Sequence, residues 1–121
     1  MNLIIDYIRD AGNLDKERIV FKAERNTQLG SYLIAETYVM DDARFSSKIQ
    51  NVFWFPDLEI KVGDRVILYT KSGERNISSN EDGTTNYFFY WNLEESHLKG
   101  ENPCVVLLNA SWKAYTVSAE S

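Results

Sequence analysis

The sequence is poor in the residues that usually carry covalent structure or catalysis. It has one cysteine, Cys104. No disulfide can therefore form within the chain, which excludes a stapled secreted mini-domain. It has one histidine, His97, so a metal site rich in histidine is excluded and any Ser-His-acid arrangement hangs on a single residue. Long apolar runs are missing as well. Leu3-Ile4-Ile5 is cut short by Asp6, too soon for a signal-peptide core. No stretch approaches the ~20 apolar residues of a membrane span. Bases are fewer than acids, 13 against 18, giving a formal charge of −5. Such a balance disfavours a general nucleic-acid coat, whose affinity comes from neutralising phosphates. There is no Gly-rich phosphate loop, no Cys-x-x-Cys and no Gly-x-Ser-x-Gly elbow. The expectations are a cytoplasmic protein with no cofactor, no metal, no membrane contact and no nucleic acid.

What is present is a core. Of the 121 residues, 44% are hydrophobic and 13% aromatic, which sets the chain apart from disordered sequences and fits one domain spanning 1–121. The dominant period is two. Ile19, Phe21 and Ala23 alternate with Arg18, Val20 and Lys22; Leu33, Ala35 and Thr37 alternate with Tyr32, Ile34 and Glu36; Val66, Leu68 and Thr70 alternate with Arg65, Ile67 and Tyr69. Alternation of this kind places one set on each face of a strand. Asn51–Phe55, Tyr87–Trp91, Cys104–Leu108 and Trp112–Val117 are further strand candidates, rich in β-branched and aromatic residues. In Leu3–Ile8 the spacing of Leu3, Ile4, Tyr7 and Ile8 also suits a helical face, and strand is favoured by its neighbours. Pro56-Asp57 and Gly63-Asp64 read as punctuation between them. The polar stretch Lys71–Asn86, with Ile77 as its only large apolar residue, reads as a long mobile hairpin loop. Seven or eight short strands separated by turn signals suggest a sandwich or barrel.

Several of these segments, in order, resemble a known family. Glu17-Arg18-Ile19-Val20-Phe21-Lys22, Leu29-Gly30-Ser31-Tyr32-Leu33, Phe55-Pro56-Asp57 with Ile60, Gly63-Asp64-Arg65-Val66-Ile67-Leu68-Tyr69, Tyr90-Trp91-Asn92 and Val105-Val106-Leu107-Leu108-Asn109 are similar to successive motifs of the lamin-tail domain. Residues 17–117 are covered. Two positions depart: Val62 stands where proline is common, and Trp112 follows Ser111 where a glycine usually makes the last turn. The resemblance implies an all-β, antiparallel immunoglobulin-like sandwich of seven to nine strands. It also implies a domain used in interaction and architecture rather than catalysis, although fold alone does not fix function. The core expected on this basis is Ile19, Phe21, Leu33, Phe55, Val66, Leu68, Trp91, Val106 and Leu108.

The reactive candidates have plainer explanations. His97 lies in the polar run Glu94-Glu95-Ser96-His97 and reads as a solvated loop histidine. Cys104 opens an apolar strand and reads as a buried thiol. The acid pairs Asp41-Asp42, Glu81-Asp82 and Glu94-Glu95 fit turn chemistry better than paired-carboxylate catalysis or a calcium loop. The aromatics are more informative. Val52-Phe53-Trp54-Phe55 and Tyr87-Phe88-Phe89-Tyr90-Trp91 are aromatic on both faces, whereas a sandwich strand buries one face. The outward set therefore needs cover or a partner. The expected binding residues are Trp54, Phe88 and Tyr90, with Ile77 as the anchor of the loop. The expected function is a non-enzymatic interaction module that binds a protein or self-associates. The alternatives are a carbohydrate-binding module stacking sugars on an exposed Trp or Tyr, and a small enzyme using His97.

Overall fold

The computed structural model describes residues 1–40, 48–96, 98–100 and 103–117. Among them the chain forms ten strands and no α-helix: β1 (Leu3–Arg9), β2 (Arg18–Ala23), β3 (Thr27–Gln28), β4 (Tyr32–Tyr38), β5 (Gln50–Trp54), β6 (Glu59–Ile60), β7 (Arg65–Tyr69), β8 (Asn76–Ser79), β9 (Thr85–Tyr90) and β10 (Pro103–Asn109). A single 3₁₀ turn, Leu29–Ser31, joins β3 to β4. The protein is all-β, as the period-two patterning requires. Two short strands, β3 and β6, and one in the supposed loop, β8, take the count above the seven to nine expected.

The strands make a five-stranded sheet of order β1-β2-β7-β9-β8, a three-stranded sheet of order β10-β4-β5, and the two-stranded ribbon β3-β6. One core joins them. Ile19, Phe21, Val66, Leu68 and Phe89 from the five-stranded sheet pack with Tyr32 and Ile34 from β4, with Phe55 just beyond β5, and with Ile60 of the ribbon. Phe55 is its aromatic centre, meeting Phe21 at 5.4 Å, Phe53 at 5.2 Å and Phe89 at 5.5 Å, all edge to face. That geometry suits the ring quadrupoles and adds to the area term.

Four sequence expectations are corrected. The five-stranded sheet is mixed, not antiparallel: β9 returns from the β8 hairpin to lie parallel to β7, with Val66 opposite Tyr87 and Leu68 opposite Phe89. Lys71–Asn86 is not one loop, since β8 pairs antiparallel with β9 from Asn76–Phe88 to Ser79–Thr85. The Asn80–Thr84 turn closes that hairpin, with Gly83 at φ 87°, a left-handed conformation that glycine adopts without Cβ strain. Trp112–Val117 is not a strand. Among the described residues no positive-φ residue reverses the chain after β10; instead Ala110 N–H donates to Ser31 C=O and Trp112 meets the ring of Trp54.

The fourth correction concerns facing. On β4 it is Tyr32, Ile34 and Glu36 that point inward, and on β10 it is Val105 and Leu107. Leu33, Val106 and Leu108 belong to the other face, with Leu108 exposed. Both strands are apolar on both faces, so alternation carries no sign, and a one-residue slip reverses every assignment. The remaining expected core residues, Ile19, Phe21, Phe55, Val66 and Leu68, are buried, and Trp91 is half-buried against the core.

Local polar devices hold the edges of this core. Gln28 Oε1 accepts from Gly30 N at 3.1 Å and Leu58 N at 2.5 Å, which locks the 3₁₀ turn to the segment after β5. Gly30 is required there: a Cβ would sit 2.0 Å from Asp57 Oδ1 and 3.0 Å from the Asp57 Cα. The buried Asp64 carboxylate accepts from Lys61 N and Thr85 N, both at 2.9 Å, tying the Gly63 turn to the start of β9.

Candidate interaction surfaces

The four expected binding residues are not brought to one place. Trp54 lies on the outer face of the three-stranded sheet, Phe88 and Tyr90 on the outer face of the five-stranded sheet, and Ile77 on the edge strand β8. Ile77 is 69% exposed and anchors nothing in the core. His97 and the Asp41-Asp42 pair lie outside the described residues.

The two outer faces differ in how they are finished. On the five-stranded sheet a row runs Tyr7–Val20–Ile67–Phe88 across four strands. Val20 and Ile67 are buried even though they point away from the core. The neighbouring row supplies long side chains: Tyr69 and Tyr90 stack at 5.5 Å with planes 12° apart. Arg18 and Lys71 lie over Tyr69 at 5.7 Å and 5.1 Å, and Arg9 lies over Tyr7 at 5.1 Å. Asp10 and Asp6 then pair with Arg18 and Arg65 at 3.2 Å and 2.7 Å. Cation–π contacts and alkyl stems dress this face; Tyr90 is stacked on Tyr69, and Phe88 is half-buried.

On the three-stranded sheet the outer rows are Trp54–Leu33–Leu108 and Val52–Ala35–Val106. None of these side chains is charged. Val52 is 47%, Trp54 49% and Leu108 40% exposed, and Trp112 beside them is 57% exposed. Trp54 is held in place: its indole N–H donates to Gly30 C=O at 2.8 Å, and the Trp112 ring meets it edge to face at 4.7 Å. A contiguous apolar surface of this kind marks a contact site more often than isolated exposed residues do.

The remaining candidates lie apart from this surface or at its margin. Cys104 is half-buried on the same outer face, opposite Thr37. Burial pushes its thiol above the ordinary value, away from the thiolate that nucleophilic chemistry needs. Asp82 accepts from Thr84 N at 3.0 Å and Thr84 Oγ1 at 2.6 Å. The hydroxyl donor first, then the amide, holds its carboxyl below the ordinary range. Asp82 and Asp64 both line a cleft of about 630 Å³, yet each is engaged in fixing a turn. Glu94 and Glu95 are exposed beside Asn92 and Leu93. Among the described residues no three or more His, Cys, Asp or Glu gather as a metal site, and no helix is long and apolar enough to cross a membrane.

One residue escapes sequence reading altogether. Glu17 is fully buried. Its Oε1 accepts from Thr70 Oγ1 at 2.5 Å, and its Oε2 from Ser96 Oγ at 2.6 Å and Gly12 N at 2.8 Å. A buried carboxylate is tolerated when donors satisfy its lone pairs. Here the donors come from the β1–β2 turn, the end of β7 and the segment after β9, so Glu17 clasps three parts of the chain. No signal in the polar run Asp15-Lys16-Glu17-Arg18 distinguishes it from its solvated neighbours.

In comparisons with known proteins, no family model and no curated protein sequence matches this chain.

Proposed function

We propose that this chain is a non-enzymatic interaction module, an immunoglobulin-like sandwich of lamin-tail type that docks a protein partner on the outer face of its three-stranded sheet. The observation that carries this reading is the uncharged, half-exposed surface of Val52, Trp54, Leu108 and Trp112. Interface centres are depleted in charge and enriched in aromatic residues, and this face is both. The opposite outer face is finished by cations stacked on its own rings. The lamin-tail resemblance supports the same reading, as does a core shared by two sheets. Sugar stacking is less well supported, because the Trp54 N–H and one approach to its ring are already occupied.

The test is a double substitution, Val52→Glu with Leu108→Glu. Both side chains are already half in water, so the melting temperature should fall little. Binding of the physiological partner should be lost, because two charges would be buried unpaired in the contact. Retained binding by the double variant would overturn the assignment of this face.

A further inference from the structure

The edge strand β8 carries a second, independent surface. All four of its residues are exposed, and it ends the five-stranded sheet with no strand on its outer side among the described residues. Natural edges are usually guarded by charge, proline or a bulge. The opposite edge, β1, has a bulge between Ile5 and Tyr7 and carries Asp6 and Arg9. The edge of β5 is kinked where Gln50 and Val52 flank the positive-φ Asn51. Asn76-Ile77-Ser78-Ser79 contains no charge, no proline and no bulge.

Its hydrogen-bonding direction can be read from the hairpin. Asn80 N–H donates to Thr84 C=O and Gly83 N–H to Asn80 C=O, so Asn80 faces β9. Backbone groups alternate along an antiparallel pair, so Ser78 and Asn76 also face β9, while Ser79 and Ile77 face the open edge. Two such edges are self-complementary under a two-fold axis. With Ile77 opposite the partner's Ile77, Ser79 stands opposite the partner's Arg75. The two Ile77 side chains, each largely exposed in the single chain, cover one another on the same face.

We propose that a second copy of this chain adds to β8, joining two five-stranded sheets antiparallel about Ile77. The contact does not rest on the outer-face reading above and uses none of its residues. Two four-residue edges bury well under the ~1,200 Å² of a stable complex, so the dimer is weak and concentration-dependent.

Hydrogen exchange and sedimentation of the full chain, followed together from ~10 μM to ~1 mM, test it. Mass should rise toward the dimer, and protection should rise in step at the Ile77 and Ser79 amides, severalfold, with Asn76 and Ser78 unchanged. Ile77→Pro removes an outward N–H without breaking the β8–β9 ladder, the one setting in which an edge strand tolerates proline. It should leave a folded monomer, and Ser79→Pro should repeat the result. A strict monomer across the range would overturn the proposal and leave the outer-face reading standing. Dimers that survive Ile77→Pro would overturn it too. So would protection growing at Val105, Leu107 and Asn109 on the β10 edge, or dissociation caused by Val52→Glu with Leu108→Glu instead.

Discussion

Glu17 is held by geometry that a near-isosteric change would disturb. Glu17→Gln replaces one acceptor oxygen with an NH₂ that must face Thr70 Oγ1, or Ser96 Oγ and Gly12 N, all of which donate to the carboxylate. The expected cost is ~1–3 kcal/mol, measured by urea unfolding at neutral pH. A change within error would mean that the clasp contributes nothing. Cys104 makes a pH prediction. Its thiol titrates higher in the folded than in the unfolded chain because burial disfavours the thiolate. The unfolded chain therefore releases its proton first as pH rises. The stability tied to the neutral thiol is complete below the ordinary thiol range and is lost through alkaline pH. Cys104→Ala should flatten that alkaline decline relative to the parent chain; identical slopes would contradict it. The place of Cys104 at the head of an apolar strand suggested a buried thiol; it is only half-buried, because it sits on the outer face of β10. Glu17 was not legible, because nothing local announces a carboxylate whose donors come from 53 and 79 residues away.

At the level of elements, the strands were readable where one face is polar and ambiguous where neither is. The outward sets of β2 and β7 carry Arg18, Lys22, Arg65 and Tyr69 beside the apolar Val20 and Ile67, and their inward sets, Ile19 with Phe21 and Val66 with Leu68, were assigned correctly. β4 and β10 were not. Their facing is settled by tertiary partners: the Tyr32 hydroxyl lies 3.2 Å from Thr27 Oγ1, and Glu36 accepts from the Asn51 side chain. Truncation should expose the contrast. Leu68→Ala should cost ~2–5 kcal/mol, and Leu108→Ala under ~1 kcal/mol, since much of its surface is already in water. Equal costs would mean that β10 faces the other way. The hairpin at 76–90 was missed for a related reason. Asn76-Ile77-Ser78-Ser79 has no apolar alternation, and it is ordered by the β9 ladder and the Gly83 turn rather than by burial.

For the whole molecule, two sheets close one core but finish their outer faces by different means. The five-stranded face stacks Arg18, Lys71, Tyr69 and Tyr90 upon itself. The three-stranded face leaves Val52, Trp54, Leu108 and Trp112 half in water. That two aromatic sets existed was plain from the sequence. Which set would remain available was not, since it depends on cations contributed by neighbouring strands. The most direct measurement is site-specific photocrosslinking in the cells that make the protein, with a photoreactive residue placed at Val52, at Leu108, or at Tyr7 on the opposite face. The proposed docking surface predicts one discrete adduct, of the same mass, from positions 52 and 108 and none from position 7. Adducts from position 7 alone, or none from 52 and 108, would contradict it.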